Sequence, residues 1–544
     1  MRRLAKGTLV LLLAMVMAVG ALTGCTVGQK RSQEIAILYT GDVHCAVDTN
    51  IGYAGLAAYK KELADRGDAV LLVDTGDALQ GAAIGSFSEG ADIVKLMNKL
   101  GYCAMTAGNH DFDYGGPAVL KDIMKQADFP VLSTNLIELA SGQPVFDRFV
   151  IKTVDGVRIA LVGISTPESI TASTPAFFQD GKGSYLYDFL ADGTGAKLYA
   201  AVQKAVDDAR TAGVDYVIAL SHLGVNDQSA PYRSIDVIAN TTGIDAVLDG
   251  HSHTVIECQR VANKAGEHVL LSSTGTGLVN VGLLVITKSG NVSTGLVSGL
   301  TAKDDEVTAM IADIEKDYKA QLATVVGSVA ADLVIKDPTS GLRIVRSRET
   351  NLGDLCADAT RAAAGSDIGI ANGGGIRAML KAGDVTVGDI LAVMPYGNLL
   401  CEIKVTGQQL LDALEFGARK APEENGGFLQ VSGVTYKIDL SVASTVTTDD
   451  NGMFVSVAGP YRVSGVTVGG QPLDLTKQYT LASNAYTVKS QGDGYTMFAG
   501  CPVVRDDFVL DADALTSYIT TAYKADQQPY ADPYGQGRIT IVGQ

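Results

Sequence analysis

From Glu34 to about Leu300, short uninterrupted apolar runs alternate with longer stretches in which apolar residues recur at helical spacing. The runs "EIAILYT", "AVLLVD", "IALVGI", "VDYVIALS", "IDAVLD" and "HVLLSS" predict strands buried on both faces. "GLAAYKKELADRG" and "GAKLYAAVQKAVDDARTAG" predict helices, each closing on glycine. Strands alternating with helices indicate an α/β layered domain. Next comes "DDEVTAMIADIEKDYKAQL", in which Val307, Met310, Ile311, Ile314, Tyr318 and Leu322 share one helical face. Asp304, Asp305 and Glu306 stand at its start, where the helix dipole favours negative charge.

This helix predicts a domain boundary. The expected organisation is a first domain over 34–300, a connecting helix and hinge over 301–340, and a second domain over 341–544 with its own strands and helices. A chain of 544 residues exceeds what one core usually supports, which agrees with two domains.

Composition narrows the function classes. With 47% hydrophobic and 19% charged residues the chain is an ordinary globular protein. A net charge of -17 argues against a nucleic-acid polymer as partner, because backbone binding needs clustered Lys and Arg. A small anionic substrate stays possible, since a few local cations outweigh a distant screened background.

The first residues add a location. "MRRLAKGTLVLLLAMVMAVGALTGC" has a basic start, an apolar stretch too short for a confident membrane span and a small-residue end, the layout of a secretory signal peptide over 1–24. "LTGC" resembles the bacterial lipobox, which implies cleavage before Cys25 and a lipid anchor on its thiol, with 25–33 as a tether. The expectation is an exported protein, held to the membrane by that lipid. The other six cysteines of the seven show no CxxC pair and no regular spacing, so they read as buried small residues rather than a disulfide or zinc framework. An exported location would nevertheless permit a disulfide.

The chain has only six histidines, and five follow the predicted strands. "ILYTGDVH" delivers Asp42 and His44, and "LLVDTGD" delivers Asp74 and Asp77. "MTAGNHDFD" delivers Asn109, His110, Asp111 and Asp113; "VIALSHLG" delivers His222; "AVLDGHSH" delivers Asp249, His251 and His253. Strand ends of such sheets present side chains into one crevice, and mixed imidazole, carboxylate and amide donors suit borderline divalent metals. Asp74 reads as a residue that steadies its turn, and His268 as a strand-edge residue without ligand-like company.

The ordered series D-x-H, GD, GNHD, H and GHSH resembles the calcineurin-like metallophosphoesterases. The resemblance implies a four-layer α/β/β/α sandwich and two divalent metal ions (zinc, manganese, iron or cobalt) bridged by one aspartate. Asp42, His44, Asp77 and His253 would hold the first; Asp77, Asn109, His222 and His251 the second. Two cations roughly 3.5–4 Å apart clamp the attacking and phosphoryl oxygens and lower the pKa of bound water to about 7. His110 would stay free of metal and stabilise charge growing on the phosphate or its leaving oxygen. Asp113 would hold its other ring nitrogen.

In the second half "RETNLGDLCADA", "ANGGGIR", "GDVTVGDILAVMPYGN", "FLQVSGVTYKID" and "QGDGY" resemble, in order, the C-terminal domain of the 5'-nucleotidase and UDP-sugar hydrolase family. This implies an α+β substrate-binding domain. Arg348 and Arg377 would bind anionic or polar groups of a nucleotide. Asn372 would bond a base or sugar, Tyr396 and Tyr486 would sandwich the base, and Asp493 would accept from ribose hydroxyls. The chain departs from the usual pattern in three ways: Tyr396 for the phenylalanine of "PFG", Gln491 for the first glycine of "GGDGY", and one extra residue between Tyr486 and Asp493. The expected activity is 5'-nucleotidase. Hydrolysis of 2',3'-cyclic nucleotides or UDP-sugars, a more remote sulfur-ester hydrolysis, and mere capture of nucleotides stay open at this point.

Overall fold

The computed structural model describes residues 34–180 and 182–543. The expected signal peptide, tether and lipid-bearing Cys25 therefore lie outside the described residues. Among the described residues no helix is long and apolar enough to cross a membrane.

The first half is built on two six-stranded sheets. One runs in the order Val292–Ser298, Asn280–Ile286, Ile35–Thr40, Ala69–Asp74, Ala104–Thr106, Val131–Leu132. The other runs Val255–Ala262, His268–Thr274, Ala246–Asp249, Tyr216–His222, Val157–Ser165, Phe149–Val154. Side-chain alternation along a strand sorts each residue to one face. On Ile35–Thr40, Ile35, Ile37 and Tyr39 join Leu161, Ile218 and Leu248 of the other sheet in one buried cluster. Ala36 and Leu38 instead pack with Leu56, Leu63, Ile93 and Met97 from the helices Gly52–Asp65 and Ala91–Leu100. The outer face of the second sheet is covered likewise by Ala196–Thr211 and Ser234–Asn240 through Leu198, Val202, Val237 and Ile238. The result is the expected α/β/β/α order of layers.

The helix Asp305–Leu322 starts as the charge pattern predicts, with the Asp304 side chain accepting from Val307 N–H. It is more than a connector, because Val307 and Ile311 are buried in the first domain's helical layer. Pairing within the second half begins with Val325–Val329 against Gly383–Thr386. There a five-stranded sheet orders as Leu429–Ser432, Ile368–Asn372, Gln478–Asn484, Leu400–Thr406, Val503–Arg505, beside a four-stranded one that includes Val434–Asp439 and Ile539–Val542. Helix Gly407–Ala418 packs in one core of this half, and Asn351–Ala364, Val387–Val393 and Asp511–Tyr518 in another. The fold is thus two α/β domains in series.

All six cysteines of the described residues are free. Cys45, Cys356 and Cys401 are buried as expected; Cys103 and Cys501 are half-buried. Cys258 corrects the expectation: it is exposed, on the edge strand Val255–Ala262, where only one neighbouring strand covers it.

Candidate metal centre and substrate cleft

In the first sheet Ile35–Thr40, Ala69–Asp74 and Ala104–Thr106 are parallel neighbours; in the second, Tyr216–His222 and Ala246–Asp249 are. Their C-terminal ends therefore emerge together, and the loops that follow carry Asp42, His44, Asp77, Asn109, His251 and His253, with His222 closing its own strand. Five of these seven residues adopt left-handed backbone conformations: Asp42 (φ 50°), His44 (47°), Asp77 (60°), His251 (70°) and His253 (54°). Such conformations cost L-residues energy and concentrate where function holds them. The loops also interlock closely. At Gly108 a Cβ would collide with the carboxylate and amide of Asp77, so no other residue fits there without displacing the loops.

The seven side chains converge. Asp42, His44 and His253 form one cluster, and Asp42, Asp77 and His222 another, with ligand atoms within 4.8 Å of each other in each. His222 Nε2 lies 3.2 Å from Asp77 and 3.3 Å from Asn109 Oδ1. His44 Nε2 lies 3.2 Å from His253 Nε2 and 3.9 Å from Asp77, and His253 Nε2 is 3.5 Å from Asp42. His251 turns Nδ1 to Asn109 Oδ1 at 2.8 Å. Backbone carbonyls fix the ring orientations, since His222 Nδ1 donates to Thr75 O (2.7 Å) and His44 Nδ1 to Gln80 O (3.1 Å).

This donor set fits divalent cations. Asp42 Oδ2 is buried without a hydrogen-bond partner. Lone pairs of His44 and His253 meet at the centre, and both rings are kept neutral, as ligation requires. Burial pushes His44 down to about 3 against the pull of Asp77, with Arg377 and His110 adding to it. Burial, then His44 and the arginines beside it, hold His253 well below the usual range. Burial also raises Asp42, but it loses at Asp77, where His222, His110 and His44 keep the carboxylate ionised. At His222 burial would favour the neutral ring, yet Asp77 and Asp42 push it up to about 10. The two buried carboxylates thus demand positive charge, met in the protein alone by a proton, and a bound cation supplies it at the same place.

His110 lies beside this centre, its ring centroid 5.4 Å from that of His44, and its Nδ1 is 2.7 Å from Asp113 Oδ2. Nε2 is thereby the nitrogen free to face a ligand. Asp74 steadies its turn, its Oδ1 accepting from Gly76 N–H at 2.7 Å. His268 opens its strand, exposed, and belongs to neither cluster.

Two supporting residues escaped the sequence reading. Asp111, quoted but given no role, accepts from the amides of Asp77, Ala78, Leu79 and Gly108 at 2.9–3.2 Å and so pins the Asp77 loop. Glu168 Oε2 is 2.7 Å from His251 Nε2. Burial would raise its pKa, but the hydrogen bond with His251 brings it down to about 2. A carboxylate beside a metal-ligating histidine is a recurrent arrangement, yet nothing local in "STPESI" announces it.

A cavity of about 600 Å³ joins this centre to the second domain. It is lined by Asp77, Asn109, His110, Asp113, His251 and His253 on one side and by Asn372, Arg377, Tyr396, Tyr486 and Asp493 on the other. Tyr396 stands 5.6 Å from the His110 ring and 5.9 Å from the Arg377 guanidinium. Asn372 Nδ2 donates to Asp493 Oδ2 (2.8 Å), and Asn484 Nδ2 to Asn372 Oδ1 (3.2 Å). Gln491 and Asp493 both take left-handed conformations (φ 59° and 54°), so the glutamine occupies a backbone position suited to glycine. Arg348 is a correction: it does not line the cavity. In the tight turn after Ile344, whose carbonyl accepts from both Ser347 and Arg348 N–H, the arginines at the cavity are Arg343 and Arg346. Arg419 and Lys420 also line it and had no signal beyond their charge.

Residues 35–255 match the calcineurin-like phosphoesterase family, and residues 325–500 match the C-terminal domain of 5'-nucleotidases. The chain belongs to the metallophosphoesterases that carry both domains, and it is a metal-dependent phosphoester hydrolase. It is 28% identical to the trifunctional nucleotide phosphoesterase protein YfkN of Bacillus subtilis over 89% of this chain, which spans 34% of that protein. With protein UshA of Yersinia enterocolitica the identity is 27%, covering 93% of this chain and 94% of that one. The solved structure of a 5'-nucleotidase precursor from Thermus thermophilus superposes with a TM-score of 0.78 at 27% identity, covering 94% of this chain and all of the other.

Proposed function

We propose that the chain is an exported, lipid-anchored hydrolase that releases phosphate from nucleotides, with two divalent cations at its centre. The export reading rests on the leader quoted above, and the nucleotide reading on the second domain's side of the cavity. The observation that carries the function is that one cavity is lined both by Asp77, Asn109, His251 and His253 of the histidine–carboxylate centre and by arginine and tyrosine side chains of the other domain.

Asp42, His44, Asp77 and His253 would hold one cation, and Asp77, Asn109, His222 and His251 the other. When bound, such a pair supplies Lewis acidity toward phosphoryl oxygens and a water acidic enough to act at neutral pH. The chain's own residues do the rest. Asn109 adds a donor without adding negative charge. Asp113 accepts the Nδ1 proton of His110 and fixes the ring, so that Nε2 presents a proton where charge grows on the leaving oxygen. Arg346 has no ion-pair partner among the described residues, and its Nε is buried without a hydrogen-bond acceptor; with Arg377 it suits an anionic phosphate. Tyr396 and Tyr486 offer flat faces to a nucleobase, and Asp493 an acceptor to the sugar.

The direct test is a phosphate-release panel of nucleoside monophosphates, triphosphates, 2',3'-cyclic nucleotides and UDP-glucose, with and without chelator. The expected result is rapid release from 5'-monophosphates that chelation abolishes and added metal restores. Release from none of these with metals replete would end the enzyme assignment for nucleotides. The stacking contact has its own readout. Tyr396→Ala is expected to forfeit about 1–3 kcal/mol of base stacking, raising KM roughly 5- to 150-fold, while Tyr396→Phe keeps the ring and stays near wild type. Steady-state kinetics on one monophosphate decides this.

A further inference from the structure

A single short turn touches both halves of the site. Glu168 immediately precedes the helical turn Ser169–Ala172, which is anchored by Ser169 N–H and Oγ donating to Thr166 O (3.1 and 2.7 Å). At one end of this turn Glu168 holds His251 Nε2 at 2.7 Å. At the other, the Thr171 carbonyl accepts the Tyr486 hydroxyl of the second domain at 2.7 Å. That hydroxyl in turn accepts from Asp493 N–H (2.9 Å), and Asp493 is bonded to Asn372. Gly492 makes the approach possible, since a Cβ there would collide with the Tyr486 ring. An unbroken series of contacts thus runs from Asn109 and His251, through the 168–171 turn, to the residues that line the far wall of the cavity.

The chemistry at His251 gives this series a consequence. A carboxylate accepts a proton from Nε2, which leaves the lone pair on Nδ1, the nitrogen that faces Asn109. Without an acceptor at Nε2 the ring is free to take the other tautomer or to rotate. The tyrosine hydroxyl matters because phenylalanine would stack equally well but could not reach across to Thr171. The tie therefore depends on the chain having tyrosine at this position.

We infer that Glu168 is a positioning residue that selects Nδ1 of His251 as the metal-binding nitrogen, and that the Tyr486 hydroxyl, by docking the same turn, couples the substrate cleft to that ligand. This rests on the two-cation reading above. A nucleobase seated against Tyr486 would then steady the turn and His251 with it, so that the second cation position is best formed when the cleft is engaged.

Calorimetric titration with Mn²⁺ alone, on metal-free wild type, Glu168→Ala, Glu168→Gln, Tyr486→Phe and the Glu168→Ala/Tyr486→Phe double variant, tests this. NMR of ¹⁵N-labelled histidines in the metal-free proteins reads the tautomer. Wild type is expected to bind two equivalents and to show His251 protonated on Nε2. Glu168→Ala should weaken one equivalent by about 10- to 100-fold, leave the other nearly unchanged and lose the fixed tautomer. Glu168→Gln, whose amide oxygen still accepts from Nε2–H, should recover most of the affinity. Tyr486→Phe should weaken the same equivalent by a smaller factor, and the double variant should bind no more weakly than Glu168→Ala. Unchanged affinities in Glu168→Ala would overturn the positioning role. No effect of Tyr486→Phe, or an effect that adds in full to that of Glu168→Ala, would overturn the coupling. Absence of any metal uptake by wild type would remove the underlying two-cation reading as well, and so is distinguishable from both.

Discussion

Replacing His110 with alanine is expected to lower kcat by about 10²- to 10⁴-fold, the usual contribution of a positioned proton donor, while metal content stays at the wild-type level. The separation follows from geometry. His110 Nδ1 is committed to Asp113, and the ring belongs to neither ligand cluster, so its loss removes no metal donor. KM should change little if, as proposed, the arginines and tyrosines of the opposite wall carry ground-state binding. Asp113→Asn keeps the shape of the side chain but cannot serve the imidazolium as a carboxylate does, and its loss of kcat should be intermediate. Kinetics combined with elemental analysis of the purified variants decides the matter. A His110→Ala protein that has lost metal along with turnover would assign His110 as a ligand instead.

The larger effect is expected at Asp77. Its carboxylate belongs to the cluster with Asp42 and His222, 3.2 Å from His222 Nε2, and lies 3.9 Å from His44 Nε2 of the other cluster, while its Oδ1 accepts from His110 N–H at 2.7 Å. On the proposed two-cation reading, Asp77→Ala would remove a donor from both cation positions at once. Stabilisation of transition-state charge by bound metal is worth several kcal/mol, so activity should fall by roughly 10³-fold or more and should not return with excess metal. A second readout is independent of turnover. A ligand that binds only the folded state stabilises it by about 2.7 kcal/mol at a hundred times its Kd, so metal should raise the Tm of wild type and leave that of Asp77→Ala almost unmoved. Turnover within tenfold of wild type would show that Asp77 bridges nothing.

These two residues were legible in the sequence for a physical reason. Strands buried on both faces must be apolar along their length, so "ILYTGDVH" and "LLVDTGD" mark both the strand and the loop where chemistry begins. Few structural roles ask for histidine beside glycine at such places, so the ligand set stood out by residue type. What was not legible depends on tertiary packing. Glu168 reaches His251 across 83 positions of chain, and Asp111 acts by gathering amides of a loop that its own sequence does not name. At the second wall, "RIVRSRE" holds three arginines that charge alone cannot rank. Only the turn after Ile344 separates Arg343 and Arg346, at the cavity, from Arg348. Tyr486 was foreseen for its ring, whereas its hydroxyl acts by crossing to Thr171, a contact that exists only because the two domains face one another.

The most direct test of the whole account is anomalous diffraction from crystals grown with Mn²⁺ or Zn²⁺. Two peaks roughly 3.5–4 Å apart, flanking the Asp77 carboxylate, with His44 and His253 around one and Asn109, His222 and His251 around the other, are the expected result. A single peak, or peaks away from these side chains, would contradict it.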